Sequence, residues 1–226
     1  MRRTDVGLNF KDEEMLIFAK IHKAEFIEDM YEKEYLYFNS LKSFRSKPSD
    51  KTGRLDPREL NLKNQQLTTL TIKLPEREIP LHKIAKKFSA QYMEHLSDPK
   101  INCCSLHWIE IEPDFPQTTY NSRLLELGDK TMLIYDWKAF LDILDQSIEE
   151  NGLTFSRKKV EYYNPKIHNG DISLHHKDEL YSWQNEYRIL IAPTDNKPIK
   201  LTLKGLKKIS CIIDTKYLNT LRVEIQ

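Results

Sequence analysis

The sequence predicts an α+β fold in a single domain, with a mixed, largely antiparallel sheet and flanking helices. Three observations lead there. The 226 residues are 39% hydrophobic, enough to bury one sizeable core and few for two. Strand-like and helix-like segments follow one another irregularly, with strands crowded into the second half, unlike the strict alternation of a doubly wound parallel sheet. No internal repeat, low-complexity stretch or long linker divides the chain, so the domain is expected to span residues 1–226.

Taken in order, Leu16 to Ile21 is a largely apolar run that stops at His22-Lys23 and reads as a first strand. From Ala24 to Lys33, Phe26, Ile27 and Met30 share a face while Glu25, Glu28, Asp29 and Glu32 lie elsewhere, the stripe of a surface helix. Tyr35 to Asn39 is short and aromatic, a second strand. Residues 47–59 concentrate proline, glycine and charge and read as an exposed, mobile loop. Leu67 to Leu74 reads as a strand, and the spacing of Ile84, Phe88, Tyr92 and Leu96 predicts a helix. Strands are expected over Ile101 to Ile111 and Met132 to Tyr135. A helix follows over Trp137 to Glu150, capped by Asp136, closed by Gly152, with Phe140, Leu141, Leu144 and Ile148 on one face. Val160 to Tyr163, Tyr187 to Ile191, Ile199 to Leu203, Ile209 to Ile213 and Leu221 to Ile225 complete the strands.

Charged residues interrupt every hydrophobic run within about ten residues, against the roughly 20 consecutive apolar residues of a membrane helix. The two arginines at the start are followed by Lys11-Asp12-Glu13-Glu14 rather than an apolar segment, so no secretory signal is read and the chain is expected to be cytoplasmic, without a membrane partner. Cys103, Cys104 and Cys211 are odd in number and lack the two-residue gap of zinc knuckles, which predicts buried free thiols. A net charge of +1 excludes a global basic field, leaving any nucleic acid to a local patch.

No phosphate-binding glycine loop, His-Glu-x-x-His helix, nucleophile elbow or Cys-x-x-Cys pair is present. What stands out is Tyr181-Ser182-Trp183-Gln184-Asn185-Glu186-Tyr187-Arg188, where polar and aromatic groups open an apolar strand. Residues two apart on a strand share a face, so Gln184 and Glu186 are expected to bring an amide and a carboxylate to one ligand. The alternative is a Glu186–Arg188 pair on a solvated face.

Gln184-Asn185-Glu186 resembles the (Gln or Glu)-x-Glu motif of ADP-ribosyltransferases. That family also carries a basic or His residue at the end of its first strand and a Ser-centred strand in the middle. Here Lys20 and His22 end the first strand and Ser105 stands in Asn102-Cys103-Cys104-Ser105, at gaps of 83 (105 − 22) and 81 (186 − 105). The chain departs from the pattern in having no arginine on its first strand and Cys-Cys-Ser in the middle. The resemblance implies an ADP-ribosyltransferase-like fold and transfer of ADP-ribose from NAD to a macromolecular acceptor, RNA, DNA or protein. Glu186 would face the oxocarbenium-like sugar, Gln184 would orient the acceptor, Lys20 or His22 would hold the cofactor, and Ser105 would position the groups around Glu186. Arg54 in the 47–59 loop has the guanidinium to close on a dinucleotide phosphate.

Tyr37 to Leu41, Gly53 to Pro57 and Glu186 to Arg188 also resemble a bacterial family suspected of phage defence or toxicity, which implies a toxin with a neutralising antitoxin. The alternatives are a non-enzymatic binding or sensor module of a phage-defence system, and a metal-independent nuclease using His22 or His107. His168, His175 and His176 have no carboxylate spaced to complete a metal site, and no metal is expected.

Overall fold

The computed structural model describes residues 15–45, 55–85, 87–111 and 120–221. Arg54, most of the 47–59 loop and all but the first residue of the expected last strand lie outside them.

Eight strands form the main sheet: β1 (Met15–His22), β2 (Tyr35–Ser40), β3 (Asn102–Ile111), β4 (Lys130–Ile134), β5 (Thr154–Lys159), β6 (Glu186–Ala192), β7 (Ile199–Thr202) and β8 (Ser210–Asp214). Their order is β7-β2-β3-β1-β4-β8, with β6 paired to β3 and β5 paired to β6. Every ladder in this sheet is antiparallel. The parallel pair joins two short segments outside it, Glu161–Tyr163 and His176–Asp178. The α+β architecture with a largely antiparallel sheet is therefore what the chain forms.

Alternation along β3 and β6 divides the chemistry between the two faces of the sheet. Cys104 and Leu106 with Tyr187, Ile189 and Ile191 enter the main core, under helix α1 (Ala24–Glu32) and helix α2 (Trp137–Glu150). There Phe18 packs at 4.7 Å from the Tyr187 ring and 5.6 Å from that of Phe140. The opposite face carries Cys103, Ser105, His107, Glu186 and Arg188, so the polar face of these two strands is where chemistry is possible.

Helix α2 has the expected bounds. The Asp136 carboxylate accepts from the Ala139 N–H at 3.0 Å, relieving one of the unpaired donors of its first turn, and Phe140, Leu141, Leu144 and Ile148 are buried. Helix α1 buries Ile27 and Met30. Its first-turn donor at Ala24 is met from a distant loop by Asp129. Phe26 departs from expectation: it is half exposed and sets its ring edge against His22, 4.5 Å between centroids.

The helix expected over Ile84 to Leu96 does not form. One turn covers Leu81–Ile84, and Ala90–His95 is a strand in a small sheet with Asn61–Leu67 and Gly170–Asp171. Ile84 and Tyr92, which suggested a buried stripe, are both exposed; Tyr92 pairs with Gln65 across the ladder. The strand expected over Leu67 to Leu74 is likewise two, broken at residues 68–70, the second forming a hairpin with Arg77–Pro80. Cys103 and Cys104 are buried free thiols as expected, whereas Cys211 is partly exposed.

Candidate functional site

One edge of β3 is shared by two strands that part from each other. β1 pairs with it from Met15↔Ile111 to Ala19↔His107, and β2 at Asn39↔Cys103 and Ser40↔Asn102. Ser105 lies between the two ladders. Lys20 reaches into this opening and its ammonium donates to the Ser105 carbonyl at 2.9 Å, with the Cys104 sulfur at 3.6 Å. The opening gives a cleft of about 740 Å³ walled by β1, α1 and β2 and floored by β3 and β6, a size within the roughly 300–1,000 Å³ of small-molecule sites.

Of the residues expected from sequence, Lys20, His22, Ser105, Gln184 and Glu186 all line this cleft, though they come from positions as far apart as 20 and 186. Arg54 lies outside the described residues. Gln184 arrives differently from expectation: it ends a 3-10 turn, Glu179–Gln184, and Asn185 takes a left-handed conformation (φ 41°) before β6 begins at Glu186. The two side chains converge because Lys177 spans them, donating to the Gln184 amide oxygen at 2.6 Å and to Glu186 Oε2 at 2.9 Å.

Glu186 is held by three donors. Its Oε1 accepts from the Ser105 hydroxyl at 2.6 Å and from Arg188 Nε at 2.9 Å, while its Oε2 accepts from Lys177. Arg188 then turns its other two nitrogens to Glu59, at 2.8 and 3.2 Å, and donates to the Leu174 carbonyl at 2.6 Å. Glu59, Lys177, Glu186 and Arg188 are each at most 5% exposed, so two carboxylates and two cations balance in a buried network. The Glu186–Arg188 pair is thus real but not the solvated one that sequence offered as the alternative.

The electrostatics follow from that geometry. Burial pushes the Glu186 carboxyl upward, but the Arg188 guanidinium, the Lys177 ammonium and the hydrogen bonds from Arg188 and Ser105 outweigh it and hold it well below the usual carboxylate range. Glu59 is raised, because burial exceeds the pull of Arg188 and Lys177. Burial also pushes the Cys103 thiol up to about 12, which leaves it no thiolate for nucleophilic chemistry at neutral pH.

Lys20 differs from the other cations of the cleft. Arg188, Lys177 and Lys200 each pair with a carboxylate, whereas among the described residues the Lys20 ammonium meets only a carbonyl and a thiol. Glu59 and Lys177 were not legible in the sequence, since their roles depend on contacts with β6 and on no local motif.

His175 bonds the Ser156 hydroxyl at 2.8 Å and His176 the Ser173 hydroxyl at 2.8 Å, and among the described residues no group of three or more His, Cys, Asp or Glu side chains is placed to hold a metal ion. No helix among the described residues is long and apolar enough to cross a membrane. Compared with family models, with curated proteins and with solved structures, the chain matches none.

Proposed function

We propose that the cleft binds NAD and that the chain transfers its ADP-ribose to a macromolecular acceptor, acting as a toxin that a neutralising partner restrains. The observation that carries this reading is the meeting of Ser105 and Glu186 at 2.6 Å in one cleft with Lys20, His22 and Gln184, in the chain order of the ADP-ribosyltransferase pattern. The lining supports it further. Four basic side chains (Lys20, Lys177, Arg188, Lys200) and four acidic ones (Glu25, Asp29, Glu59, Glu186) share the cleft, a balance suited to a ligand with a pyridinium cation and a diphosphate. Lys20, with no carboxylate of its own, is the natural diphosphate anchor, and Phe26 and Tyr37 offer exposed aromatic surface to the rings.

In the reaction the bond from ribose C1′ to the nicotinamide nitrogen breaks and its electron pair leaves with the ring, which becomes neutral. The sugar carries the resulting oxocarbenium-like charge. Glu186, held in its ionised form by Arg188, Lys177 and Ser105, opposes that charge, so its part is electrostatic. The acceptor nucleophile then bonds C1′ and releases its proton to solvent, with Gln184 orienting it.

Nicotinamide release from NAD tests the proposal. Glu186→Gln is expected to lower kcat by about 100-fold or more, and Ser105→Ala, a milder change that removes one of three donors to Glu186, by a smaller factor. Release at equal rates in both variants and in the wild type would overturn it. A second reading, a non-enzymatic sensor, is favoured by one observation: both Glu186 oxygens already have donors. It requires that NAD neither binds nor stabilises the protein.

A further inference from the structure

Where the β3–β6 ladder ends, at Glu186↔His107, β3 runs on past the turn before β6 and a second cavity of about 370 Å³ opens. Trp108, Tyr120 and Trp183 wall it, and His107 lies in the walls of both this cavity and the cleft. Asn185 fixes the geometry from below: its carbonyl accepts from the Trp108 N–H at 3.0 Å and its side-chain amide donates to the Trp108 carbonyl at 2.7 Å.

Among the described residues, two buried polar atoms in this lining have no hydrogen-bond partner, His107 Nε2 and Trp183 Nε1. Such atoms are rare and costly in a folded protein. Their chemistry is complementary. His107 is 8% exposed and its Nδ1 donates to the Gln184 carbonyl at 2.7 Å, so in the neutral ring Nε2 is a bare acceptor, and burial favours that neutral form. The indole N–H of Trp183 is a donor. Cations lie against the same aromatic walls, each also near a carboxylate: the Arg123 guanidinium sits 4.3 Å from the Trp183 ring centroid with Glu126 at 3.8 Å, and the Lys159 ammonium 3.8 Å from that of Trp108 with Glu110, itself in the lining, at 3.9 Å.

Aromatic walls, one unfilled acceptor, one unfilled donor and flanking cations are together the complement of a nucleobase and its phosphates. Every base presents an adjacent donor and acceptor on its pairing edge. We propose that this cavity holds a nucleobase of a single-stranded nucleic acid, with Trp183 Nε1 donating to it, His107 Nε2 accepting from it, and Arg123 and Lys159 meeting the flanking phosphates. Resting on the transfer reading above, this makes nucleic acid the acceptor, delivered through the wall residue that the two cavities share. The near-neutral net charge of +1 means that the contact is local rather than a general attraction to polyanions.

The test is direct binding of 12-residue single-stranded DNA and RNA, followed by fluorescence anisotropy at two salt concentrations, with no NAD present. Binding is expected, and Trp183→Leu should weaken it by about tenfold, as loss of one stacking surface does. Arg123→Gln, a change at an exposed position that leaves the fold alone, should weaken it and flatten its salt dependence. Both variants should keep the thermal shift that NAD produces. Absent binding, or binding indifferent to both changes, overturns the proposal and leaves the two polar atoms to water. Mononucleotides binding as tightly as the strands would also overturn it, in favour of a free nucleotide. So would loss of the NAD shift in Trp183→Leu, which would assign the pocket to the adenine of NAD. A failure of nicotinamide release leaves these binding results unaffected, so the two readings fail separately.

Discussion

Arg188 is the residue on which the polar face of the sheet depends. Its guanidinium stands between Glu59 and Glu186, and removing it would leave two buried carboxylates with only Lys177 between them. Arg188→Met is expected to destabilise the fold by about 3–5 kcal/mol in urea unfolding, a loss that Glu59→Gln in the same chain should partly recover. Titration gives a second check. Burial, with Arg188 and Lys158 nearby, lowers the His175 ring from 6.5 to about 4. Between those values the unfolded chain binds a proton that the folded chain refuses, so stability falls as pH drops from 6.5 to 4, by about 3 kcal/mol from this group. His175→Gln should flatten that slope. Glu186, whose carboxyl is depressed, adds a further loss as pH falls below the ordinary glutamate value, whereas Glu59, raised by burial, takes up its proton above that value and adds stability as pH falls toward it. Glu186, Ser105 and Gln184 were legible in the sequence as a motif and an order. Glu59 was not, because its link to Arg188 spans 129 residues and leaves no local trace.

At the scale of elements, spacing was informative where an apolar stripe meets a core. Helix α2 was readable to its last residue, since Asp136 caps it and its stripe is buried; Leu144, fully buried at its centre, should cost about 2–5 kcal/mol as Leu144→Ala. The same spacing misled at Ile84 to Leu96. There Ile84 and Tyr92 face solvent, Leu96 reaches a buried cluster, and the segment's hydrogen bonds go to Asn61–Leu67, a partner that the sequence of the segment alone does not specify. The parting of β1 from β2 was equally invisible, although it makes the cleft. Its rim is set by close packing: a Cβ on Gly128 would lie 2.2 Å from the His22 carbonyl carbon. Gly128→Ala must therefore push the end of β1, costing on the order of 1–3 kcal/mol and weakening ligand binding at His22, which a melt with and without NAD would read together.

Taken whole, the molecule sets a nonpolar core under one face of an antiparallel sheet and a buried ionic network on the other, with the cleft entering where the sheet divides. The α+β architecture was legible from composition and element order, whereas the sheet's strand order was not, because antiparallel neighbours here lie as far apart as Tyr35 and Thr202 (167 residues, 202 − 35). The account turns on whether this cleft takes NAD. Thermal unfolding of the wild type with and without NAD measures that most directly, because a ligand bound only by the folded chain stabilises it by roughly 2.7 kcal/mol at a hundredfold excess over Kd. The account predicts a clear rise in melting temperature that Lys20→Met reduces and Ser105→Ala alters. An unchanged melting temperature at millimolar NAD would contradict it and leave the cleft to a different ligand.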